Sequence, residues 1–111
     1  MTTNTLTPQH ILDTAADILI TDGWTQGNYR DVGGCRCALG ALGAAAECDP
    51  TYSRTAAFDD AERHLLETIG ATNVIDWNDA DDRTAPDVIA AMRKAANLAT
   101  AKQAATNDAA A

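Results

Sequence analysis

Three cysteines and two histidines are the residues in this chain best suited to chemistry: Cys35, Cys37 and Cys48, with His10 and His64. Cys35-x-Cys37 with Cys48 offers three soft ligands, and a histidine offers a fourth. Zinc sites, however, are built on paired Cys-x-x-Cys knuckles at recognisable spacing, and the chain has none. No metal is expected. Cys37 can also be read as a nucleophile, because it stands near the expected start of a helix whose dipole lowers a thiol pKa. A nucleophile needs a base within reach, and nothing in the sequence sets either histidine beside it. Free thiols in or near the core are the expectation. The odd count of cysteines argues against a closed disulfide set.

Gly33-Gly34-x-Arg36 has the ingredients of an anion site: free backbone N–H groups and an arginine ahead of a helix. The Lys and Ser/Thr of a phosphate loop are missing, and a tight turn explains the glycines. Asp76, Asp79, Asp81, Asp82 and Asp87 suggest calcium. Read as a twelve-residue loop from Asp76, the pattern fails at Ala80 and again at Asp81, where glycine is required. Turn and capping roles account for these carboxylates. Trp24 and Trp77 are the largest side chains. Each is either a major part of the core or an exposed anchor for a partner. Gln26, Tyr29 and Arg30 accompany the first, and Asn78, Asp79 and Arg83 the second. These eight residues are the candidate protein-binding set. No catalytic residue and no cofactor is expected.

The elements that must position these residues are helical. Thr7-Pro8 is a helix start, and Ile11, Leu12, Ala15, Ala16, Ile18 and Leu19 share one face at helical spacing. Gly23 ends this helix, which spans about Pro8–Asp22. Residues 24–34 read as loop, with at most one short strand at Tyr29–Val32. A second, short helix over about Cys35–Glu47 is small and apolar nearly all round, so it belongs at the centre. Its Gly40 and Gly43 imply close approach by a neighbouring helix or side chain. A third helix runs from near Ser53 to Gly70, with a stripe of Phe58, Ala61, Leu65 and Ile69. Val74–Trp77 makes one turn of helix, followed by a polar turn at Asn78–Asp82. Thr84 with Asp87 resembles a capping box opening a last helix whose stripe is Val88, Ile89, Met92, Ala95, Ala96 and Ala99. The stripe fails after Ala99. The domain is therefore expected over 8–99, with a flexible N-terminus at 1–7 and a frayed or disordered alanine-rich tail at 100–111. The fold class is all-α, a compact irregular bundle of about four helices.

With 111 residues the chain is one domain. Leu, Ile, Val and Phe make up less than a fifth of it and the net charge is −8, a composition that leans toward disorder. Abundant alanine and the periodic stripes outweigh that. Sixteen acidic residues against eight basic ones, with no basic run, count against nucleic acid and anionic membrane surfaces as partners. No apolar stretch is long enough to span a bilayer, and the N-terminus does not read as a signal peptide. A cytoplasmic location is expected.

Gly23-Trp24-x-Gln26-Gly27, Cys37-Ala38-Leu39-Gly40-Ala41-Leu42, Trp77-Asn78-Asp79, Arg83-Thr84 and Val88 stand in a definite order and spacing. From about Ile11 to Ala96 the chain resembles a family of small helical proteins of actinobacteria and their bacteriophages that is known as a domain of unknown function. The resemblance implies a small cytoplasmic phage or host accessory protein. It brings no activity, cofactor or catalytic residue. Three readings of function follow. The first is a protein-interaction module that binds a host or phage protein, or itself. The second is an acidic mimic of nucleic acid that sequesters a DNA-binding protein. The third is a small enzyme or anion-binding domain using Cys37 and the Gly33-Gly34-Arg36 loop.

Overall fold

The computed structural model describes residues 6–50 and 53–110, with side chains described through Gln103. It is all-α. The elements are α1 (Pro8–Asp22), α2 (Ala38–Ala45), α3 (Ala56–Ile69), α4 (Val74–Asn78) and α5 (Ala85–Ala110). The fifth helix in this count is the single turn at α4. No strand occurs among the described residues; Trp24, Arg30 and Arg36 form only isolated bridges.

Each helix begins where a side chain can satisfy its free N–H groups. Thr7 Oγ1 accepts from His10 N, Thr55 Oγ1 from Phe58 N and Asn73 Oδ1 from Asp76 N. Thr84 and Asp87 exchange two hydrogen bonds at the head of α5, which closes the capping box. Gly70 ends α3 in the left-handed region at φ 67°. The third helix starts at Ala56 rather than near Ser53, with Thr55 as its N-cap.

The long helices α1 and α5 pack on each other, α3 covers both, and α2 lies against α1, α3 and α4. Ile11, Leu12, Leu19, Leu39, Leu42, Phe58, Leu65, Val88 and Met92 are buried, with alanines between them. Seven of the eight residues of α2 are buried, as a helix apolar on all sides requires. Gly40 and Gly43 serve different neighbours. A Cβ on Gly40 would lie 2.1 Å from the Tyr29 carbonyl oxygen, so the loop backbone rests directly on α2. A Cβ on Gly43 would lie 2.6 Å from Pro50 Cδ.

Of the seven N-terminal residues expected to be flexible, 1–5 lie outside the described residues. Leu6 packs on the core and Thr7 caps α1. At the other end the backbone stays helical through Ala110, beyond the last buried alanine, Ala99. Alanine carries little cost in a helix, and Lys102 ties this stretch to Glu67 of α3 at 2.7 Å. Ala111 is outside the described residues. No described helix is long and apolar enough to cross a membrane.

Candidate functional site

Asn78 is the only buried polar side chain among the described residues. A carboxamide removed from water must find partners for two donors and two acceptor positions. Here all four are used. Oδ1 accepts from Trp24 Nε1 at 2.6 Å and from Ala38 N at 2.9 Å. Nδ2 donates to the Thr25 carbonyl at 3.1 Å and to Asp79 Oδ1 at 2.9 Å. The partners of Oδ1 are donors only and those of Nδ2 acceptors only, so the amide has a single orientation.

The clasp extends outward from there. Gln26 Nε2 donates to the carbonyls of Asn78 and Ala80 at 3.0 and 2.9 Å. Gly27 N donates to Asp79 Oδ1 at 3.1 Å. Next to the clasp, Arg83 lies 4.2 Å from the centre of the Trp77 ring and donates from Nε to the Trp77 carbonyl. The loop 24–27, the N-terminus of α2 and the α4 turn are thereby joined at one buried amide. Both tryptophans are half-buried and pack on the core.

The eight candidate residues thus divide. Trp24, Gln26, Asn78 and Asp79 converge on the clasp, and Trp77 and Arg83 flank it. Asn78 is fully buried, so its side chain is not on the surface. Tyr29 and Arg30 are exposed at the outer end of the loop. Sequence reasoning missed Ile75, which is 36 % exposed, and Tyr29 is 39 % exposed. These two stand at a cleft of about 340 Å³ whose other walls are Gly27, Asn28, Cys37 and Asp79. The only signal for Ile75 is its place in the short apolar turn Val74–Trp77, which has too few residues to define a buried face.

The third reading of function meets opposing geometry. Cys37 is the N-cap of α2, is buried, and accepts from Gly40 N at 3.3 Å. Burial pushes its thiol above the ordinary value of 9.0, and the nearby Asp79 carboxylate adds to the rise. The hydrogen bonds from the start of the helix pull the other way and are outweighed. That is the reverse of activation. In the Gly33-Gly34 turn, the N–H groups of Gly33 and Cys35 both donate to Asp31 Oδ1 at 2.9 Å. Gly34 N donates to the Asp31 carbonyl. The turn already contains its own anion. Arg36 lies toward α1, with Nε 3.7 Å from Asp22 Oδ2. The three cysteines are free, and no cluster of three potential metal ligands occurs among the described residues.

Comparison with curated proteins and with solved structures finds no match. Residues 3–98 match a family model, a span that holds the clasp, all of α1 to α4 and about half of α5. By that match the chain belongs to the family of unknown function DUF6197.

Proposed function

We propose that this chain is a small cytoplasmic protein-interaction module, an accessory protein of a phage or its actinobacterial host, that docks through the edge carrying Tyr29 and Ile75. One observation carries the reading. Two large apolar side chains stand exposed beside the same cleft, while the loop on one side of it is tied through Thr25 to Asn78 and through Gly27 to Asp79 at the end of α4. Exposed apolar groups on a fixed frame bind at a lower entropy cost than the same groups on a loose loop. Tyrosine is a frequent anchor in such contacts. Arg30, exposed next to Tyr29, supplies a polar rim.

The test is retention of host or phage proteins on the immobilised chain, compared with Tyr29→Ala/Ile75→Ala. Both side chains are outside the core, so the variant should keep the wild-type circular dichroism and melting temperature. The proposal expects a defined protein held by the wild type and released by the variant. Equal retention by both, or no retained protein, contradicts it.

A further inference from the structure

The cleft between the loop and α4 is mostly apolar but holds one carboxylate, Asp79. Its Oδ1 is fully engaged, accepting from Gly27 N and Asn78 Nδ2. No described donor reaches its Oδ2, and no described cation pairs with it. No basic side chain lines the cleft. Arg83, the nearest arginine in sequence, does not line the cleft and is engaged by the Trp77 ring and carbonyl. Asp79 therefore brings a carboxylate with no described counter-ion to a cleft it shares with Tyr29 and Ile75.

Resting on the interaction-module reading, we infer that this cleft receives a lysine or arginine side chain from a basic segment of the partner. The alkyl stem of such a side chain lies along Ile75 and the Tyr29 ring. Its cationic head meets Asp79 Oδ2, and the tyrosine face adds attraction for the charge. A volume of about 340 Å³ accommodates one long side chain. The occupant also matches the chain as a whole, since a net charge of −8 draws basic segments in and repels acidic ones. An apolar side chain of the same length fills the space and leaves Asp79 Oδ2 without a partner. That loss is what selects the cation.

The experiment is an amide-resolved NMR titration of the full chain with capped peptides Gly-Ser-X-Ser-Gly, where X is lysine, arginine, norleucine or glutamate. The lysine and arginine peptides should shift the amides of Gly27, Asn28, Cys37 and Asp79, with an affinity that falls as salt is raised. The norleucine and glutamate peptides should not shift them. Asp79→Asn keeps an oxygen to accept from Gly27 and removes the charge, and should weaken the lysine peptide about tenfold. Equal binding of norleucine and lysine overturns the inference without reference to any variant. So does an unmoved cleft with every peptide, even where Tyr29→Ala/Ile75→Ala abolishes protein retention; the module reading then stands and the cationic occupant falls. Selective binding of the basic peptides, with protein retention indifferent to Tyr29→Ala/Ile75→Ala, supports the chemistry of the cleft and defeats the module reading.

Discussion

The indole N–H of Trp24 donates to the carboxamide oxygen of Asn78, 54 residues further along the chain, at 2.6 Å. That contact closes the loop after α1 onto the turn of α4. Through the second bond to the same oxygen, from Ala38 N, it also fixes the start of the central helix. A loop, the start of one helix and a one-turn helix are held by one buried amide. The exposed pair Tyr29 and Ile75 owes its geometry to that closure.

Asn78→Ala should be the most damaging single polar substitution. It leaves Trp24 Nε1, Ala38 N and the Thr25 carbonyl without their partner. A buried donor or acceptor stripped of its partner costs about 1–3 kcal/mol, so a loss on the order of 3 kcal/mol is expected in urea unfolding. Asn78→Asp keeps the acceptor and loses the donor. It also sets a second carboxylate against Asp79, so its loss should shrink as the pH is lowered enough to protonate the pair.

Gly40→Ala should act through the loop. Alanine normally favours a helix over glycine by about 1 kcal/mol, yet the new Cβ would meet the Tyr29 carbonyl oxygen at 2.1 Å. The clash wins, because its partner is backbone. The expected result is net destabilisation by about 1–3 kcal/mol, with amide shifts spreading over residues 24–37. A gain in melting temperature would show that the loop does not rest on α2.

Cys37 provides the pH prediction. Its thiol is held above the ordinary 9.0 by burial. Below that value both folded and unfolded chains keep the proton and the contribution is fully present. As pH rises past 9.0 the unfolded chain releases its proton while the folded chain still holds it, so stability falls until the folded value is passed. Unfolding midpoints measured from about pH 8 to pH 10 should therefore drop more steeply for the wild type than for Cys37→Ala. At neutral pH, Cys37 should be the last of the three thiols to react with an alkylating agent, at the rate at which the chain opens.

Much of this fold is legible in the sequence. Thr7-Pro8, Gly23, Gly70 and the Thr84–Asp87 pair set helix ends through local hydrogen bonds, and local bonds leave local patterns. The stripes of α1, α3 and α5 are legible for the same reason, since periodicity reports burial. Asn78 is where this reading stops. In Asn78-Asp79-Ala80-Asp81-Asp82 a polar run looks the same whether its side chains face water or, as with Asn78, the interior. The deciding partners lie 40 to 54 residues away. Gly40 shows the same limit. Its small size announces a close neighbour, but only the folded chain shows that the neighbour is the carbonyl of Tyr29 and not a helix. The helix start favours an activated thiol at Cys37, and the burial that overrides it is a tertiary effect. Ile75 was legible only as part of a short apolar turn, because a one-turn helix has too few residues to define a face.

The most direct measurement of the account is hydrogen exchange at the two indole N–H groups, read by NMR on the wild type and on Asn78→Ala. The Trp24 indole proton should be strongly protected in the wild type, in step with the Ala38 amide, and both should lose protection in the variant. A Trp24 indole that exchanges in the folded wild type as fast as a free side chain would contradict the clasp, and with it the frame on which Tyr29 and Ile75 are displayed.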